Sequence, residues 1–197
     1  MPTLAPVQEL TLRLRADTAQ AHRRLENGLD LMATPPSRQQ IQALLERFYG
    51  FYAVFEPALP ALLPPQLLAG RQKCPILARD LMGFGYGQAD LDALPRCLPI
   101  LEVLNGPPSA LGALYVMEGS ALGGKLISRM LARTGQFPRS IAYFDPYGEG
   151  ASLMWQSFKA ALVQASSPHT DDRLIAAANQ TFAILHDWLV PTYRSTQ

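Results

Sequence analysis

The sequence predicts an all-α fold. Apolar residues recur with a helical period along nearly the whole chain, and no run alternates in the manner of a strand. Prolines and glycines cluster between the periodic segments, and none of the seventeen prolines falls inside a predicted long helix. At 197 residues, 48% hydrophobic and 17% charged, the chain suits one domain with a sizeable core, spanning 1–197.

The elements follow in order. A first helix is expected from Gln8 to about Leu29, with Gly28 placed to end it. Pro35-Pro36 then breaks the chain. Ser37 has the character of an N-cap, and Gln40 completes a capping box. The second helix carries Ile41, Leu44, Leu45, Phe48, Phe51, Tyr52 and Phe55 on a broad apolar face and is expected to stop before Pro57. Two shorter helices are expected over 66–82 and 88–104, separated by a turn from Gly83 to Gly87. Pro107-Pro108 opens a long helix, Ser109 to Thr134. Residues 135–150 read as a loop rich in Gly, Pro and Tyr. Helices from about Ala151 to Ala165 and from Asp171 to Leu189 close the fold, with Pro191 as the stop.

Composition excludes several classes of function. A net charge of +1 gives no bulk electrostatic case for nucleic acid. No stretch approaches the apolar length of a membrane span, and the N-terminus lacks the apolar run of a signal peptide. Cys74 and Cys97 lack metal-ligand spacing and read as ordinary thiols of a cytoplasmic protein, with one disulfide left open. There is no Glu-x-x-His motif, no Gly-x-Ser-x-Gly elbow and no phosphate-binding loop.

Four groups of residues remain as candidates. His22, one of three histidines, stands four residues before Glu26, so the two share a helical face. A neutral imidazole binds a metal through one nitrogen while the other donates to a neighbour such as a carboxylate; the plain alternative is an exposed i, i+4 pair. Gly119, Gly123 and Gly124 lie inside the helix Leu111 to Met130. Each costs about 1 kcal/mol relative to alanine, which calls for a kink or a close approach of the backbone; the occupant of that approach is a ligand or another helix. Arg15 lies two turns before His22, and Tyr115 one turn before Gly119. Both are candidates to hold carboxylates at a pocket rim, or are respectively a solvated and a core residue. Lys125, Arg129 and Arg133, spaced by four, form a basic stripe that is either a solvated face or a docking surface for an acidic protein. His169 falls in a loop, and His186 beside Trp188 reads as packing.

Taken together, these residues resemble the heme oxygenases. The resemblance covers most of the chain: the order of helices, the His22–Glu26 pair, the run Glu118-Gly119-Ser120-Ala121-Leu122-Gly123-Gly124, and the Tyr147-Gly148 loop leading to Trp155 and Phe158. It is nearest to the bacterial branch, particularly the members that supply biliverdin to bacterial phytochromes. It implies a single-domain helical bundle with heme between the first, proximal helix and a kinked glycine-rich distal helix. His22 then corresponds to the ligand of heme iron and Glu26 to the residue that orients it. Gly119, Ser120, Gly123 and Gly124 correspond to the distal contacts. Arg15, Tyr115 and, on the penultimate helix, Lys159 are the residues toward the propionates, and Phe182 matches an aromatic against the heme edge. Mammalian-type members carry an aspartate where this chain has Ser120, so proton delivery falls to water held by backbone groups and the Ser120 hydroxyl.

The implied activity is oxygen-dependent cleavage of heme to biliverdin, ferrous iron and carbon monoxide. Electrons would come from a ferredoxin, a flavodoxin-type protein or a reductase. A histidine ligand donates more weakly than a thiolate, and a wall of glycine backbone offers no acid–base side chain, both of which favour attack on the porphyrin edge. Two rivals stand beside this reading: a heme carrier or sensor without turnover, and a thiamin-degrading hydrolase of the same architecture, which would need a cysteine nucleophile with carboxylate partners.

Overall fold

The computed structural model describes residues 6–33, 35–137 and 141–196, with side chains from residue 9 onward. Among these residues the regular structure is helical throughout. The long elements are α1 (Pro6–Leu29), α2 (Arg38–Ala58), α7 (Pro107–Thr134), α8 (Ala151–Ala165) and α9 (Asp171–Ser195). Four short helices lie between α2 and α7: α3 (Pro65–Leu68), α4 (Cys74–Met82), α5 (Gln88–Ala93) and α6 (Ile100–Val103).

Several expected boundaries hold for the expected reasons. The Ser37 side chain accepts from the Gln40 amide while the Gln40 side chain accepts from the Ser37 amide, which closes the capping box. Pro107 and Pro108 occupy the first turn of α7, where their missing N–H groups need no partner. Gly135 ends α7 with φ +66°, a left-handed conformation that favours glycine.

Other boundaries differ. Pro57 and Pro191 both lie inside helices rather than ending them. Each proline removes its own N–H from the ladder and crowds the carbonyl four residues back, and α9 outlasts that cost because Tyr193, beyond Pro191, is buried and the Arg194 Nε donates to the Gly28 carbonyl at 3.2 Å. The helices expected over 66–82 and 88–104 are each divided. Gly70, at φ +72°, stops α3, and Pro75 opens α4. Pro95 and Pro99 separate α5 from α6. At the end of α1 the left-handed residue is Asp30, φ 46°, and not Gly28. Gly28 serves packing instead, since a Cβ there would sit 2.6 Å from a methyl group of Val190.

α9 is the central element. Both α1 and α7 run along it, and α2 packs on its far portion and on α4. Close contact between α7 and α9 depends on Gly112, where a Cβ would stand 2.1 Å from the Leu174 carbonyl oxygen. Phe51, Phe55 and Phe158 are fully buried and fill the core together with leucines from α1, α2, α4 and α9. α1 and α7 are therefore both supported by α9.

Candidate active site

α1 places His22 with its side chain 51% exposed, and its Nδ1 lies 3.3 Å from the Glu26 carboxylate. The i, i+4 spacing produces this pair directly. The ring packs edge-on against Phe182 of α9, centroids 5.4 Å apart and planes at 77°. Phe182 is buried, so it fixes the imidazole from behind. Glu26 takes one ring nitrogen; Nε2, on the other side of the ring, remains available.

Tyr115 of α7 lies near α1. The Tyr115 hydroxyl meets the Thr18 hydroxyl, close to Arg15. Thr18 lies one turn before His22 and Tyr115 one turn before Gly119. Burial pushes the Tyr115 phenol pKa up, which keeps it a neutral hydrogen-bonding group. Its ring leans on Trp155 of α8 at 5.8 Å. Thr18 is itself buried and donates to the Leu14 carbonyl at 2.6 Å.

Beyond Tyr115 the wall of α7 is bare backbone. A Cβ built at Gly119 or at Gly123 meets nothing within 4 Å. The helix continues unbroken through both glycines. Ser120 is exposed, and its hydroxyl donates to the Met117 carbonyl at 2.8 Å. Gly124 has a different surrounding. A Cβ there would stand 2.3 Å from the Phe144 carbonyl oxygen, so this glycine permits the segment 142–144 to lie against the helix. The packing reading of the glycines applies to Gly124, and open space applies to Gly119 and Gly123.

The remaining candidates sit around this opening or away from it. Arg15 is exposed on α1, and Lys159 is half-buried on α8. Lys125 is half-buried, while Arg129 and Arg133 are exposed further along α7, with Leu122 and Leu126 also exposed on that helix. His186 pairs with Asp187 at 2.8 Å, and His169 is exposed between α8 and α9.

Sequence reasoning missed a buried polar cluster on another face of α7. Glu118, 2% exposed, pairs with Arg71, 5% exposed. Arg71 also donates to the Leu67 carbonyl at 2.7 Å, the Met154 carbonyl at 3.0 Å and the Ser157 hydroxyl at 2.8 Å. Lys73 Nζ donates to the Arg71 carbonyl at 2.9 Å and to Tyr147 Oη, and lies 3.6 Å from Glu118. Tyr147 in turn donates to Glu118 at 2.6 Å. Burial lowers the Lys73 pKa despite the Glu118 charge and raises that of Tyr147. The signal was present in the sequence: Glu118 takes the place of an apolar residue in the buried stripe Leu111, Leu114, Glu118, Ala121.

A cavity of about 250 Å³ adjoins this cluster, lined by Tyr52, Phe55, Glu56, Leu114 and Met117 among others. Glu56 accepts from the backbone amides of Lys73 and Cys74, and burial raises its pKa. A carboxylate thus does stand beside Cys74, as a cysteine hydrolase would require. Burial, with the Glu56 charge, pushes the thiol up to about 11, and Cys97 likewise to about 11. Both are poor nucleophiles at neutral pH, since the thiolate is the reactive form.

The described residues therefore offer one imidazole nitrogen on α1 and, on α7, helix backbone at Gly119 and Gly123 with nothing packed against it. A single nitrogen ligand suits a metal already held in a flat macrocycle, and the bare wall suits the macrocycle itself. Comparisons with known proteins bear on the family and the fold. The family model described as heme oxygenase matches residues 8–190. A heme oxygenase of Xanthomonas campestris pv. campestris (strain 8004) is 30% identical over 158 residues, 77% of this chain and 89% of that protein. The heme oxygenase structure from Leptospira interrogans superposes with a TM-score of 0.78 at 18% identity, covering 92% of this chain and 98% of that one. Heme oxygenase-1 of the cyanobacterium Synechocystis sp. PCC6803, solved in complex with heme, gives 0.74 at 16% identity, covering 95% and 92%. With a family model spanning nearly its whole length and the matching helical fold, this chain belongs to the heme oxygenase family.

Proposed function

We propose that this protein opens heme at the cleft between α1 and α7, releasing biliverdin, ferrous iron and carbon monoxide. The observation that carries the reading is the pairing of one accessible imidazole, His22, with the open backbone at Gly119 and Gly123. Heme, the substrate, supplies the iron that activates oxygen. His22 holds that iron through Nε2, and Glu26 and Phe182 fix the plane and tautomer of the ring. Gly119, Ser120 and Gly123 bring backbone close to the opposite face, leave room for oxygen and keep acid–base side chains away from it. Arg15, Tyr115 and Lys159 set the in-plane rotation of the substrate through its propionates. Addition of heme should produce a stoichiometric Soret shift, and ascorbate in air should bleach it and yield a bilin of defined isomer. A stable Soret band under those conditions would favour the carrier or sensor alternative.

The glycine wall has its own consequence. Gly123→Leu puts a branched side chain into the free space and is expected to keep iron ligation while slowing bilin formation at least about tenfold, equal to about 1.4 kcal/mol in the barrier. Stopped-flow spectra of turnover check this; wild-type rates would assign Gly123 to packing.

We place an acidic electron donor, a ferredoxin, flavodoxin-type protein or reductase, at the stripe Lys125, Arg129 and Arg133. Charge-steered redox contacts are small and act mainly on association rate. Reversing Arg129 and Arg133 to glutamate is expected to slow donor-driven turnover severalfold at low salt and to spare ascorbate-driven turnover. Equal loss with both reductants would remove the docking role. The bilin product suits the chromophore site of a bacterial phytochrome.

A further inference from the structure

The open glycines are bounded by fixed points. At Gly112 the helix touches the Leu174 carbonyl and at Gly124 the Phe144 carbonyl, both closer than any side chain allows. Between them the one charged side chain turned into the protein is Glu118, the residue immediately before Gly119. Its carboxylate is gripped from three directions: by Arg71 and Lys73 on the segment between α3 and α4, and by Tyr147 on the loop before α8. Arg71 is itself bound to two carbonyls and a hydroxyl on α3 and α8, so the grip is not free to swing.

We propose that Glu118 is a positioning residue for the distal wall: its buried clamp sets how far the Gly119–Gly123 backbone stands from the substrate. The inference rests on the assignment of those glycines as the distal wall. A helix containing three glycines within six residues is locally weak, and nothing packs on the outer side of Gly119 or Gly123 to hold it. Support has to come from the inner side, and Glu118 is the nearest strong contact there.

Glu118→Asp tests this, because it keeps the charge and shortens the arm by one methylene. A field effect would survive the change, whereas a positioning role would not. In the heme-free protein, amide hydrogen exchange across 119–124 is expected to rise at least tenfold while the middle of α9 is unchanged. In the heme-loaded ferrous protein, the stretching band of added carbon monoxide is expected to shift and broaden, and the bilin isomer ratio to change with heme affinity held within about twofold. If Glu118→Asp does not fold, Tyr147→Phe, which deletes a single hydrogen bond to the same carboxylate, should give a smaller change of the same sign. Unchanged exchange and an unmoved band in a folded variant overturn the proposal. Gly123→Leu serves as the parallel arm. If it moves the band and Glu118→Asp does not, the positioning role alone is lost. If exchange rises in Glu118→Asp but neither variant moves the band, the assignment of the distal wall is lost, and the proposal with it.

Discussion

His22→Ala is expected to lower heme turnover by at least about a hundredfold, a barrier increase of about 2.7 kcal/mol. The imidazole is the ligand assigned on this wall of the cleft, and its neighbours are arranged to hold it: Glu26 at 3.3 Å on one edge, Phe182 at 5.4 Å behind. Removing the ring leaves a space beside Phe182 that free imidazole can enter. The apolar part of heme binding remains, so the variant should still take up heme, with altered Soret position and spectra. Added imidazole should restore part of the rate. Because His22 is half exposed on a helix surface, its loss should leave thermal stability almost untouched. Wild-type spectra and turnover in His22→Ala would remove it from the site.

Arg71→Ala should give the largest loss of stability. Arg71 neutralises a carboxylate that is 2% exposed and ties α3, α7 and α8 together through four hydrogen bonds. Breaking a buried pair by removing one partner typically costs about 3–5 kcal/mol, because the other charge stays buried. Lys73 and Tyr147 still contact Glu118, so the lower end is expected. For a chain of this size that corresponds to a fall in Tm of about 6–12 °C. Exchanging every charge of the cluster for an apolar residue of similar volume, Arg71→Met with Glu118→Leu and Lys73→Met, so that none is left buried alone, should recover much of the loss. Denaturant unfolding of the three proteins measures it; a single variant within about 1 kcal/mol of the parent would mean that the pair is solvated in solution.

Where a signal was local, the sequence carried it. The capping box at Ser37, the proline-opened α7 and the His22–Glu26 pair each depend on residues within one or two turns, and each stands where the spacing placed it. The errors arose where distant parts of the chain outweigh local preference. Pro191 reads as a stop, yet burial of Tyr193 and the Arg194 bond to α1 carry the helix past it. Gly28 reads as a helix end, yet it marks contact with Val190.

The site divides in the same way. The sequence by itself determined the all-α class, the order of the long helices, the pairing of His22 with Glu26, and the position of the glycine run inside α7. Only the tertiary structure decided which glycines face open space and which face a carbonyl, because that depends on segments some twenty residues or more away. It also decided that Tyr115 lies near Thr18 and that Glu118 is clamped by Arg71, Lys73 and Tyr147. A helical period states which residues share a face. What that face meets is set by the packing of α1 and α7 on α9 and by the burial of charge, and both arise only when the chain closes on itself.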